Sequence, residues 1–110
     1  MKTVAELSVF TRRAVGRLSV EDVSDLTGFL SFFPESGDLI QGSGGARKLR
    51  WAASGRGKRG GARVIYYFHC EGCPVVLINV YLKSERSDLT RAEVAKLKTI
   101  CKELADEYHR

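Results

Sequence analysis

At 110 residues, 44% apolar and 28% charged, the chain suits one modest core and is too short for two; a single domain over residues 1–110 is expected. Three cysteines are no disulfide framework. The longest apolar run, residues 75–82, is broken by Asn79 and far too short for a bilayer. The opening M-K-T-V-A-E-L-S-V-F-T-R-R has no long apolar stretch, so neither a secretory signal nor a membrane partner is expected, and the reading is a cytoplasmic protein.

In chain order, residues 3–10 read as a first strand, because Ala5, Leu7 and Val9 alternate with polar neighbours. Residues 11–17 read as a turn or short helix. Ser19 with Asp22 forms a weak capping box, and Val20, Val23, Leu26, Leu30 and Phe33 follow at helical spacing until Pro34 and Gly37 end the helix. After the glycine-rich stretch 41–45 comes a strand over 46–52, with Leu49 and Trp51 on one face and Lys48 and Arg50 on the other. Residues 54–61 form a basic loop. Residues 62–69 and 75–83 make a hairpin around Glu71-Gly72. Thr90 and Glu93 cap a last helix whose stripe is Val94, Leu97, Cys101, Leu104 and Tyr108. The class is α+β: a small twisted antiparallel sheet of about four strands, with N-terminal helix or helices and a C-terminal helix on one face.

Charge is unevenly spread. Residues 39–70 contain no acid and seven cations: Arg47, Lys48, Arg50, Arg56, Lys58, Arg59 and Arg63. The whole chain carries only +5, so the remainder is net negative. One concentrated basic segment on such a body points to nucleic acid or another polyanion.

Strand alternation sorts the side chains. Arg63, Ile65 and Tyr67 share a face, as do Asn79, Tyr81 and Lys83, while Val76, Ile78, Val80 and Leu82 form the core face of the last strand. If the polar faces coincide, Lys48, Arg50, Arg63, Tyr81 and Lys83 meet on one surface, with Arg56, Lys58 and Arg59 at its rim. Cations of this kind bind phosphates, and tyrosines stack on unpaired bases. The same cluster stabilises the charge that develops when a ribose 2′-hydroxyl attacks its own phosphate. A crowded lysine, or a tyrosine beside cations, then serves as proton carrier. His69 and His109, at a hairpin end and near position 110, form no His–carboxylate pair and read as incidental.

Three runs carry a resemblance: G-S-G-G-A-R-K-L-R-W over residues 42–51, G-R-G-K-R-G-G-A-R-V-I-Y-Y over 55–67, and V-Y-L-K-S-E-R-S-D-L over 80–89. Together they resemble the HigB branch of the RelE/ParE toxin superfamily, nearly end to end. The resemblance implies a type II toxin that enters the ribosomal A site, cleaves mRNA through the message's own 2′-hydroxyl and leaves a cyclic phosphate. It implies no cofactor and no metal. The implied partners are a neutralising antitoxin, the ribosome and its message. Carried over by position, Lys48 and Arg50 match the family's basic strand, Arg63 its G-x-R-x-x-Y arginine, and Tyr81 and Lys83 its Y-x-K. Arg47, Arg56, Lys58, Arg59, Tyr67 and Arg86 are then expected to contact RNA or ribosome. Well-known RelE members place a tyrosine after the last strand; Leu89 stands near that position here, so Tyr81 is the tyrosine assigned to the chemistry.

Other signals are weaker. Residues 55–60 match G-x-G-x-x-G but join two strands instead of opening a helix, against a dinucleotide site. Cys70 and Cys73 form C-x-x-C at a hairpin tip, which suits half a zinc knuckle, a redox pair or a plain turn. Trp51 alternates with Leu49 and is expected in the core. Lys96, Lys98 and Lys102 are expected to be solubility charges on the last helix. Two other functions fit the same residues: a ParE-like gyrase inhibitor, and a non-catalytic RNA-binding module.

Overall fold

The computed structural model describes residues 1–53 and 61–108. The elements are β1 (Val4–Glu6), α1 (Ser8–Ala14), α2 (Val20–Phe32), β2 (Asp38–Leu39), β3 (Ala46–Trp51), β4 (Ala62–Phe68), β5 (Val75–Leu82) and α3 (Arg91–Tyr108). The strands form one sheet in the order β1-β5-β4-β3-β2. The expected α+β class and its helices are present, with a fifth short strand, β2, and a mixed rather than purely antiparallel sheet. β1 runs parallel to β5, from Val4 beside Val75 to Glu6 beside Leu77.

The first strand is shorter than the alternation of Ala5, Leu7 and Val9 predicts. Leu7 is extended at the helix N-cap, and Phe10 and Ala14, one helical turn apart, both face the core. Val9, assigned inward by the strand pattern, is 39% exposed. The other helix starts follow local chemistry. The Ser19 hydroxyl accepts the Asp22 N–H at 3.0 Å, and the Asp22 carboxylate accepts the Ser19 N–H at 2.9 Å. At α3, Thr90 N–H donates to Glu93 at 2.8 Å and Glu93 N–H donates back to the Thr90 hydroxyl at 3.2 Å.

The helices do not share one face. Val64, Tyr66, Leu77, Val80 and Leu82 pack with Phe10, Ala14, Leu26 and Leu30 of α1 and α2. Ile65, Tyr67, Val76, Ile78 and Tyr81 pack with Leu97, Cys101 and Leu104 of α3. The sheet is therefore a middle layer, which explains why β4 and β5 are apolar on both sides. Trp51 is half-buried against Phe29 at 5.4 Å between ring centres, on the α2 side with Leu49.

A β-bulge resets the alternation. Ile65 pairs with Asn79 and Tyr66 with Leu77, leaving Ile78 without a partner. Val76 and Ile78 consequently face α3, whereas Val80 and Leu82 face α1 and α2. The four do not form one core face. Asn79 accepts the Val80 N–H on its side-chain oxygen at 2.8 Å, supplying a local partner beside the bulge.

The segment after β5 is tied down by an ion pair. Arg17 donates to both Glu85 oxygens, at 2.8 and 2.6 Å, and Glu85 also accepts the Leu82 N–H at 2.8 Å. The Arg17 hydrogen bond, then the Leu82 amide, lower the Glu85 carboxyl from an ordinary 4.5 to about 2. A carboxyl with a depressed folded pKa stabilises the fold above its unfolded value, and that contribution is lost as the pH falls. Both partners are partly exposed, so the effect is modest and screened by salt. Glu85→Gln should lower the melting temperature at pH 7, and the gap from wild type should close between pH 4.5 and about 2. A gap that stays constant over that window in thermal melts would contradict a charge-based contribution.

Candidate active site

The bulge brings the polar half of β5 onto the α3 side of the sheet. There, α3 packs on Ala46, Ile65, Tyr67, Val76 and Ile78. Past that cover, the same face carries Lys48 and Arg50 of β3 and Arg63 of β4. Arg63 sits mid-row, opposite Arg50 on one side and Tyr81 on the other. Lys48, Arg50, Arg63 and Lys83 line one open hollow of about 520 Å³, together with Ser36, Asp38, Leu49 and Ser87. Three local devices place the four cations. Strand alternation places Lys48 and Arg50, the hairpin register places Arg63, and Lys83 is fixed where its N–H donates to the Gly61 carbonyl at 3.0 Å. The wall at 36–38 is held from beneath, because Gly37 N–H donates to the buried Tyr66 hydroxyl at 2.8 Å.

Two like-charged guanidinium groups facing each other across strands are unfavourable in a resting sheet. Among the described residues, neither Arg50 nor Arg63 nor Lys83 has a carboxylate partner; of the hollow's cations only Lys48 is paired, with Asp88 at 3.1 Å. Such a cluster is suited to an anion of matching size.

Residues 36–109 match the family model described as the RelE toxin of the RelE/RelB toxin–antitoxin system. The chain belongs to the RelE toxin family. It is accordingly a toxin of a toxin–antitoxin system, with a cognate antitoxin as partner. Every residue lining the hollow falls inside the matched stretch. Among the described residues, no helix of the toxin is long and apolar enough to cross a membrane.

Several expected contact residues of the toxin lie elsewhere. Arg47 is opposite Tyr66 and so points to the α2 side, where it donates to the carbonyls of Glu35 and Gly37 at 3.0 and 2.8 Å. It braces the 35–37 turn instead of joining the cationic face. Tyr67 is 5% exposed in the α3-side core, with its hydroxyl 2.9 Å from His69 Nδ1, so it has no face free for a base. Arg86 is held by both Glu93 oxygens and by the Asp88 carbonyl. Its guanidinium lies 5.4 Å from the Tyr81 ring centre. Arg56, Lys58 and Arg59, like the G-x-G-x-x-G run and His109, lie outside the described residues.

Tyr81 shares the row but not the hollow. It is 1% exposed, and its hydroxyl is buried without a hydrogen-bond partner among the described residues. Burial, more than any neighbouring charge, pushes its pKa up, although Lys48, Arg63 and Arg86 pull the other way. The expectation that adjacent cations lower it is therefore reversed. Cys70 and Cys73 are joined by a disulfide at the β4–β5 turn, so neither is a free thiol. The third cysteine, Cys101, is buried on the inner face of α3 and its thiol is pushed up to about 11 by burial.

Sequence reasoning passed over Asp38, Ser87 and Asp88. Asp88 stands in the quoted V-Y-L-K-S-E-R-S-D-L run, but nothing local shows that its side chain reaches back across forty residues to Lys48. Asp38 is placed by a two-residue strand that pairs it with Lys48, a register that only the assembled sheet reveals.

Proposed function

We propose that this toxin, of the HigB-like branch, is a ribosome-dependent endoribonuclease that cuts mRNA in the ribosomal A site, in the bacterial cytoplasm. One observation carries the reading: four cations from two strands and the segment after β5 converge on one open hollow. In the reaction the 2′-oxygen of the message bonds to the adjacent phosphorus and the bond from phosphorus to the 5′-oxygen breaks. The 2′-proton leaves to a base, the departing 5′-oxygen takes up a proton, and a 2′,3′-cyclic phosphate remains. Because the nucleophile belongs to the substrate, the protein must bend the ribonucleotide, bind the pentacoordinate charge and move protons. Lys48, Arg50, Arg63 and Lys83 supply the positive charge, and an open hollow admits a nucleotide that the ribosome presents. Arg56, Lys58 and Arg59, which lie outside the described residues, add positive charge for contact with RNA or ribosome.

Inducing the toxin should stop protein synthesis and generate new mRNA 5′ ends in frame with translated codons, while chromosomal DNA stays intact. DNA breaks with intact messages would instead identify a gyrase inhibitor. RNA bound with steep salt dependence but left uncut would identify a binding module.

A further inference from the structure

In the free protein one cation of the hollow, Lys48, already carries an anion from the chain itself, held at the hollow's edge. Asp88 Oδ1 lies 3.1 Å from the Lys48 ammonium and accepts the Leu89 N–H at 2.8 Å. The Leu89 amide first, and Lys48 second, lower the Asp88 pKa, so at neutral pH it is a full carboxylate. Asp38 lines the hollow itself, but it has no ion pair among the described residues. Asp88 is thus the acid engaged with a cation of the site.

The residues around Asp88 form one cover. Arg86 donates to the Asp88 carbonyl and to Glu93, and its guanidinium lies over the Tyr81 ring. Beneath it the Tyr81 hydroxyl is buried with no acceptor among the described residues. Buried hydroxyls are normally hydrogen-bonded, and an exception needs an explanation, a role at a functional site among them. Tyr81 stands opposite Arg63 in the β4–β5 register and under the Arg86 guanidinium, next to the hollow and beneath its cover.

We propose that Asp88 is an internal placeholder: its carboxylate occupies, on Lys48, the seat of a non-bridging phosphate oxygen, and an incoming phosphodiester displaces it. Displacement loosens the 86–88 cover and gives the Tyr81 hydroxyl the acceptor it lacks in the free protein. This rests on the ribonuclease reading above. The exchange is favourable on charge grounds. Asp88 is 64% exposed and satisfies one cation, and an exposed pair of this kind is weak. A phosphodiester in the same hollow meets Lys48, Arg50, Arg63 and Lys83 together. Until it arrives, the carboxylate keeps Lys48 in place and offsets like-charge repulsion.

The test is equilibrium binding of the full chain to ribosomes carrying a message whose A-site codon is 2′-O-methylated and cannot be cut, beside ribosomes without message. Asp88→Asn keeps an acceptor for the Leu89 amide but removes the charge. Asp106→Asn makes the same charge change on exposed α3, where Asp106 pairs with Lys102. Asp88→Asn should bind message-loaded ribosomes about 2–5-fold more tightly than wild type, as loss of a weak exposed pair predicts, with no comparable gain for Asp106→Asn or on empty ribosomes. Tyr81→Phe should melt no lower than wild type yet bind the loaded complex more weakly. Equal affinity for Asp88→Asn and wild type, weaker binding, or a gain matched by Asp106→Asn would overturn the placeholder. A Tyr81→Phe protein that melts lower and binds equally would make the hydroxyl structural and overturn its part. A wild-type protein that does not distinguish loaded from empty ribosomes would overturn the ribonuclease reading itself, and the placeholder with it.

Discussion

Arg63→Ala is expected to lower message cleavage by about 10²–10³-fold, the loss typical when one preorganised donor is removed from a developing oxyanion. The position explains the size. Arg63 is the middle member of the Arg50–Arg63–Tyr81 row, and among the described residues its guanidinium makes only a 3.4 Å contact with its neighbour's carbonyl, that of Ala62. Little of the fold depends on the side chain, and its charge faces another arginine. Removing it should leave the melting temperature unchanged or slightly raised, because a like-charged cross-strand pair is relieved. Loss of toxicity together with full antitoxin binding and an unaltered melt is the expected pattern. A variant that stays toxic would remove Arg63 from the chemistry, and one that unfolds would make its role structural.

Leu77→Ala is expected to silence the toxin by another route. Leu77 is 0% exposed on β5, between Glu6 of β1 and Tyr66 of β4, in the core shared with α1 and α2. Truncating a buried leucine costs about 2–5 kcal/mol, through lost transfer energy and the cavity left behind. Against the roughly 5–15 kcal/mol that a small domain holds, this is a large fraction. Urea unfolding should show a lower midpoint with an unchanged slope, and cellular abundance should fall. The cationic hollow is untouched, so the protein that remains folded should cut at the wild-type rate per folded molecule. Cleavage lost in proportion to stability marks a core residue; cleavage lost without it marks Arg63.

How far the fold could be read in advance depended on how local each cause is. Ser19 with Asp22 and Thr90 with Glu93 are reciprocal hydrogen bonds within three residues, and both helix starts follow from them. Alternation separated Lys48 and Arg50 from Leu49 and Trp51 within one strand, and the same rule sends Arg47 to the far side, with Leu49 and Trp51. Alternation failed at Ile78 and Asn79, where a bulge adds a residue with no mark in composition. It placed Tyr81 and Lys83 well only because both lie beyond the bulge, on the stretch whose parity was counted from Asn79. The second layer was hidden too. That Ile65 and Tyr67 are covered by α3 depends on how the last helix returns across the sheet, which no window of sequence contains. Of the site, the four cations of the hollow were legible as residue types at strand spacing. The burial of Tyr81 was not, because its cover is made by Arg86, which Glu93 and the Asp88 carbonyl hold in place. The same holds for Asp88, whose partner is forty positions away.

The antitoxin relationship follows from family membership. Cations left without carboxylate partners bind polyanions indiscriminately.

Cleavage by purified toxin on programmed ribosomes, with a message carrying either an ordinary ribose or a single 2′-deoxyribose at the A-site codon, tests the central claim most directly. Cutting of the ribose message alone, only when ribosomes are present, with a 2′,3′-cyclic phosphate on the upstream fragment, is the predicted result. Equal cutting of the deoxy-substituted message, or of naked RNA, would contradict it.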